Sequence, residues 1–339
     1  MNKMFVHVAV IAALITLGFG PGTTEVFGAD EKAPGKVSYP KELVFRAGSV
    51  GGPWIPMCTM IADEMMKKFP GLNIVVQPGG GLSNIRVIEA GVDSVIGFAH
   101  LPLYWEAKQG SLDKGKNYGN ISALFSPTAS IQQMAVRVDS GIKSFADLKN
   151  KRINCGKQGT GGEITCNRLL DTYGITYASV RASGGQVSFL DHTEMGIALK
   201  DRTLDFINLS GEVPHSVLVD VETTTPIRLL DIDQAALAKL QQKYPYYTAL
   251  VIPGKTFKGT PNNVTALVNA ATLIVNHKAL SDEFVYEVTK LIMEKAKDFQ
   301  AALPFMNLLT PPARALDGLK PELMHPAAVR YFKKIGGLK

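Results

Sequence analysis

Apolar positions along this chain follow two alternating rhythms. Leu43-Val44-Phe45-Arg46-Ala47 is a compact apolar run that stops at Gly48-Ser49-Val50-Gly51-Gly52. From Trp54 to Phe69, Ile55, Cys58, Ile61, Ala62 and Met65 recur at helical spacing. The alternation repeats. A strand over Leu72 to Gln77 stops at Pro78-Gly79-Gly80-Gly81, a short helix covers Leu82 to Ala90, and another strand covers Ser94 to Ala99. Strand, turn and helix in that order predict a parallel α/β sheet.

The same grammar returns later: a strand over Ile131 to Val138, a short helix over Ser144 to Leu148, and a strand over Arg152 to Cys155. A glycine-rich turn over Gly156 to Gly162 then leads into a helix over Glu163 to Tyr173. Strands follow near Leu204 to Leu209 and Pro226 to Leu230, then a long apolar stretch, Val264 to Val275, and an amphipathic helix, Asp282 to Phe299. At 339 residues the chain exceeds one ordinary core. No low-complexity tether or solenoid-length repeat divides it. The expectation is two α/β lobes, each with a parallel or mixed sheet, joined by strands crossing near Ser126–Gln132 and Val264–Asn276. Lobe I then comprises residues 38–128 and 268–339, and lobe II residues 129–267.

The first residues break this pattern. Lys3 precedes an apolar run from Met4 to Phe19, small and apolar residues continue to Gly28-Ala29, and the chain turns polar at Asp30-Glu31-Lys32. Residues 1–29 therefore read as a secretory signal peptide, which implies that the mature chain is exported, to the periplasm if the resemblance described below holds. Cuts after Gly28 and after Ala29 both fit, and an uncleaved anchoring helix is the alternative. No cysteine follows the run to carry a lipid anchor. Of the three cysteines, Cys155 and Cys166 either pair in an oxidising compartment or stay buried thiols, and spacing leaves both open.

Composition adds exclusions. With 46% hydrophobic and 19% charged residues, the profile is globular. The net charge of +6 is scattered and never interleaved with aromatics, which argues against nucleic acid as a partner. Gly156-Lys157-Gln158-Gly159-Thr160-Gly161 has P-loop spacing, but Gly162-Glu163 stands where Lys-Ser/Thr is required. Gly159 to Ile164 lacks the third glycine of a dinucleotide turn. No G-x-S-x-G or H-E-x-x-H occurs, and His192-Thr193-Glu194 lacks the cysteine pair of a zinc deaminase. The chain is read as a non-enzyme with no metal and no cofactor; a secreted hydrolase using Cys58 or Ser83 is the reading set against this.

Three glycine-rich turns, Gly48 to Gly52, Gly79 to Gly81 and Gly159 to Gly162, each precede a helix. Ligands of open parallel sheets sit beyond the carboxyl ends of the strands. A helix starting there offers free N–H groups and partial positive charge, which suits an anion. Plain tight turning explains any one of the three equally well.

At these turns the sequence resembles the TAXI group of solute receptors of tripartite ATP-independent periplasmic (TRAP) transporters. The resemblance runs from about Leu43 to Phe332 and rests on five blocks. They are Gly48 to Trp54; Gly80-Gly81-Leu82-Ser83-Asn84-Ile85-Arg86 with Ala90-Gly91-Val92-Asp93; Asp147 to Glu163; Lys243-Tyr244-Pro245-Tyr246-Tyr247 with Ile252-Pro253; and His325 to Tyr331. It implies a two-lobed, type II-like periplasmic binding protein that closes over an organic acid or amino acid and passes it to a membrane permease without ATP. Three departures fall where the pocket should lie. Pro53-Trp54 stands where two tyrosines are usual, Ala99-His100-Leu101-Pro102 where polar residues are usual, and Gly162 at a usual hydroxyl position.

The candidate ligand contacts are Ser49, Gly51, Gly52, Trp54, Gly81, Ser83, Asn84, His100, Thr160, Gly161, Gly162 and Glu212. Thr160, Gly161 and Gly162 are expected to grip a carboxylate. Ser83 and Asn84 serve as helix caps, as ligand donors, or as both. Trp54 is core or a pocket wall, His100 titrates near pH 6.5 beside the ligand, and Arg86 meets either the ligand or a surface carboxylate. Glu212, in Gly211-Glu212-Val213-Pro214, is placed at the rim. The partners expected are a small anionic organic solute and TRAP permease subunits, with the receptor a monomer. The same fold presenting its ligand to a membrane sensor kinase is the alternative.

Overall fold

The computed structural model describes residues 37–92 and 95–338, so the leader expected over residues 1–29 lies outside the described residues. The first series of elements is β1 (Glu42–Arg46), α1 (Trp54–Lys68), β2 (Asn73–Gln77), α2 (Gly81–Ala90), β3 (Ile96–His100), α3 (Leu101–Lys108) and the long β4 (Ile121–Arg137). The second is β5 (Arg152–Asn154), α4 (Gly161–Thr172), α5 (Tyr177–Ala182), β6 (Gln186–Ser188), α6 (His192–Lys200), β7 (Phe206–Gly211), α7 (Ser216–Glu222), β8 (Ile227–Leu229), α8 (Gln234–Lys243) and β9 (Thr248–Ile252). β10 (Val264–Asn276), α9 (Asp282–Glu294), α10 (Ala296–Ala302) and α11 (Pro326–Lys334) complete the chain. The helical spacing in α1 buries Met57, Cys58, Ile61 and Met65, and α2 stops at Gly91, whose φ of 69° suits a left-handed cap.

Strand pairing gives the same order twice. The first half runs β2-β1-β3-β10-β4 and the second β6-β5-β7-β4-β8. The first strand of each series is parallel to both its neighbours, and a long strand runs antiparallel beside them. β4 pairs with β10 as far as Ile131 and with β7 from Ile131 onward. β10 pairs with β9 up to Val268 and with β4 from Val268. Two crossing strands therefore belong to both lobes, and the two expected sheets fuse into one hydrogen-bonded sheet of ten strands. Pro127 lies inside β4 without a donor, and there the register slips: Ala271 faces Thr128 while Leu273 faces Phe125.

Each lobe has its own core. In the first, Phe45, Phe98, Phe125, Ile274, Phe284 and Phe332 are fully buried together. In the second, strand alternation splits β7: Phe206 packs with Phe145 and Leu169 on one face, and Ile207 and Leu209 pack with Met195 and Leu218 on the other. Two helices differ from expectation. The segment after Ser144 winds as a 3-10 helix over Phe145–Asn150, capped reciprocally by Ser144 and Asp147. The amphipathic helix from Asp282 breaks at Lys295, whose ammonium reaches Glu64 on α1 at 2.9 Å. Cys58, Cys155 and Cys166 are free, buried thiols.

A buried ion pair also joins the lobes. Arg168 on α4 donates to both carboxylate oxygens of Glu106 on α3, at 2.7 and 2.9 Å. Tyr246 donates to the same carboxylate, and the guanidinium lies 4.3 Å from the centroid of the Tyr244 ring.

Candidate functional site

The parallel strands of both lobes deliver their carboxyl ends to one place. The cavity there is lined by Gly48, Ser49, Gly52, Pro53, Trp54, Gly80, Gly81, His100, Cys155, Gly156, Thr160, Gly162, Glu163, His192, Asn208 and Ser210. Five helices begin at it: α1 through Pro53 and Trp54, α2 through Gly80 and Gly81, α3 through its cap His100, α4 through Thr160 and Gly162, and α6 through His192. Each contributes the positive end of its dipole. None of these lining residues is Lys or Arg. An acceptor-bearing, anionic group is what this arrangement favours.

The lobes are shut over this cavity. Leu82 N–H donates to the Gly159 carbonyl across the gap at 3.2 Å. A Cβ on Gly80 would lie 2.9 Å from Thr160 Cγ2, and one on Gly51 would lie 2.3 Å from Thr193 Oγ1. Gly51 also turns with φ of 76°. The space left between these residues is about 30 Å³, room for roughly two waters. An organic solute therefore enters through a more open arrangement.

Of the residues expected from sequence, Ser49, Gly52, Trp54, Gly81, His100, Thr160 and Gly162 are brought together in the lining. Trp54 is both buried and a wall; its ring centroid is 4.7 Å from that of His100. Thr160 caps α4, its hydroxyl accepting from Glu163 N–H at 3.2 Å and donating to the Lys157 carbonyl at 2.8 Å. Gly161 lies beneath His100, where a Cβ would be 1.9 Å from Nδ1.

Gly51, Ser83, Asn84, Gly161 and Glu212 are not among the lining residues. Gly51 forms the turn against Thr193, and Ser83 donates to the Gly80 carbonyl at 3.0 Å. Asn84 is fully buried and accepts from Gly80 N–H at 3.2 Å. It donates to the carbonyls of Ala47 and Phe98 at 2.8 and 2.7 Å, so its amide is engaged in holding turns together. Glu212 caps Ser216 N–H at 3.4 Å. Arg86 makes the surface pair with Asp113, at 2.9 and 2.6 Å.

Sequence reasoning missed His192, Asn208 and Ser210. Asn208 donates to the carbonyls of Cys155 and Gly162 and to Gln132 Oε1, and Gln132 in turn donates to Ser210, forming a polar floor. Asp191 and Glu194 form a reciprocal capping box; that D-x-x-E signal was present in the sequence and marks His192 as the first residue of a helix. The expectation that His100 titrates near pH 6.5 does not hold. Burial and neighbouring His192 hold it down to about 3. Burial and His215 likewise hold His192 at about 3, and burial holds His215 at about 4. All three imidazoles are neutral at neutral pH.

Two α/β lobes sharing crossing strands, with a cavity at their common strand ends, define a periplasmic solute-binding fold. Residues 45–336 match the NMT1-like family, and the chain belongs to that family of periplasmic solute-binding proteins. Among solved structures, PhnD1 of Prochlorococcus marinus in complex with methylphosphonate aligns over 83% of this chain and 99% of its own, with a TM-score of 0.51 and 11% identity. The alkanesulfonate-binding protein SsuA of Xanthomonas axonopodis pv. citri, bound to MOPS, aligns over 89% and 86%, with a TM-score of 0.46 and 14% identity. DctP7, a Bordetella pertussis extracytoplasmic solute receptor binding pyroglutamic acid, aligns over 87% and 91%, with a TM-score of 0.44 and 14% identity. At these identities the likeness is one of fold. Among the described residues, no helix is long and apolar enough to cross a membrane.

Proposed function

We propose that the protein is the periplasmic receptor of a TRAP transporter of the TAXI type. It captures a small organic anion, a carboxylate or an amino acid, between lobe I (residues 38–128 and 268–339) and lobe II (residues 129–267) and delivers it to the membrane permease. The observation that carries the anion is the convergence of five helix N-termini on one cavity whose lining holds no Lys or Arg. The transporter class rests on the sequence blocks around Gly48, Gly80 and Gly159. Solute entering the open cleft touches both lobes and shifts the population toward the closed form.

A thermal-shift screen of carboxylates and amino acids tests capture. A solute at 100 times its Kd adds about 2.7 kcal/mol. Thr160→Val, which removes a cap hydroxyl at the cavity, should weaken that solute by about tenfold. If no acid in the screen stabilises the protein, the anion reading fails. Uptake of the bound solute into permease-containing liposomes, driven by an ion gradient without ATP, tests the transporter; an ATP requirement excludes the TRAP assignment.

A further inference from the structure

We infer that His192 is a ligand-binding residue, fixed by His215 as a hydrogen-bond donor into the cavity, so that the solute presents an unprotonated oxyanion to it. This rests on the reading of the cavity as the solute site.

The direction follows from one backbone group. Val217 N–H donates to His215 Nδ1 at 3.2 Å, so that nitrogen carries a lone pair. A neutral imidazole then bears its proton on Nε2. That nitrogen lies 3.2 Å from His192 Nδ1 and donates to it. His192 Nδ1 is thereby the acceptor, and its own proton stands on Nε2. The Nδ1 edge of the His192 ring faces His215 and the Gly48–Gly52 loop, where a Cβ on Gly52 would be 3.2 Å away. The remaining ring nitrogen, Nε2, carries the N–H. His192 opens α6, a helix of nine residues, at the cavity lining. Asp191, the residue before it, accepts from Glu194 N–H at 3.0 Å and caps the helix.

A second side chain points to a ligand independently. His100 lines the same cavity, is 6% exposed, and leaves both ring nitrogens without a partner. Buried polar atoms are ordinarily paired. The lining carboxylate, Glu163, is already engaged by Gly159 N–H and the Tyr177 hydroxyl, at 3.2 and 2.6 Å. What the site leaves open at His192 is a donor, and its complement is a carboxylate, phosphonate or sulfonate oxygen rather than an N–H or a protonated acid.

The test uses the full chain with 15N-labelled histidine rings and backbone amides. Sodium acetate, pyruvate and succinate are the probes, acetamide is the uncharged control, and His192→Gln identifies the resonance. The expected result has three parts. His192 shows the Nε2–H tautomer at about pH 7.5. Its ring N–H moves with at least one carboxylate and not with acetamide. His192→Phe and His215→Phe each weaken that carboxylate by about tenfold, the worth of one hydrogen bond to a charged group. If the variants fail to fold, the wild-type spectrum still decides. A His192 protonated on Nδ1, or one that stays still while the Gly81 and Gly161 amides respond, overturns this inference and leaves the anion site standing. No response at either place overturns both.

Discussion

The side-chain amide of Asn84 accepts from Gly80 and donates to the carbonyls of Ala47 and Phe98, pinning the turns after β1 and β2 to the middle of β3. Asn84→Ala leaves those buried groups unpaired and should cost about 3 kcal/mol in urea unfolding. Ser83→Ala, losing one part-buried hydrogen bond, should cost under about 1 kcal/mol. The buried histidines set a pH dependence. His100 and His192 are held at about 3 and His215 at about 4, against about 6.5 in the unfolded chain. Below pH 6.5 the unfolded state binds more protons, so stability is full above that value and falls as pH drops from 6.5 toward 4. The slope is about 1.4 kcal/mol per pH unit for each histidine that stays buried. Denaturant midpoints at about pH 7.5 and 5 check it; equal midpoints would mean the rings are hydrated in the native state. A single sequence could mark Asn84 as a residue at a helix start but not which way its amide turns. His192 was weighed as a metal ligand, when the informative feature was the capping box around it.

Among elements, the glycine turns were the most legible part of the site, because a turn that must approach another backbone closely leaves few residue choices. Gly80→Ala tests that closeness. Its φ of −167° is open to any residue, yet the added Cβ would meet Thr160 Cγ2 at 2.9 Å only when the lobes are shut. The expected result is a solute affinity lowered about tenfold with an unchanged melting temperature in the absence of solute, measured by calorimetry. A lowered melting temperature without solute would place the clash inside one lobe. A crossing strand was expected near Ser126–Gln132, but the start of β4 from Ile121 escaped sequence reading for a physical reason. Ser122, Ser126, Thr128 and Ser130 are buried there, and Pro127 interrupts the ladder, so the stretch lacks an apolar rhythm. Their hydroxyls find partners only in the fold, as Ser126 does with Thr272 at 2.9 Å and Thr128 with the Phe305 carbonyl at 2.6 Å. β6, of three residues, is too short for any period to show.

For the molecule as a whole, Arg168 and Glu106 span the two lobes. Glu106→Ala leaves a largely buried guanidinium without its carboxylate, with only tyrosine neighbours, which should cost the closed form about 3 kcal/mol. Small-angle scattering should then show a larger radius of gyration; an unchanged radius would mean other contacts hold the lobes shut. The two-lobe plan was visible in the repeated strand-turn-helix grammar. This ion pair was not, because its partners lie 62 residues apart in sequence and neither belongs to a motif. The placement of β10 reaches beyond the finished protein. It lies between β3 and β4 at the centre of the first lobe, yet begins only at Val264. While the ribosome is still making the middle of the chain, the first hundred or so residues have strands without their central neighbour. Until its last quarter emerges, the nascent polypeptide cannot complete the sheet of its first lobe.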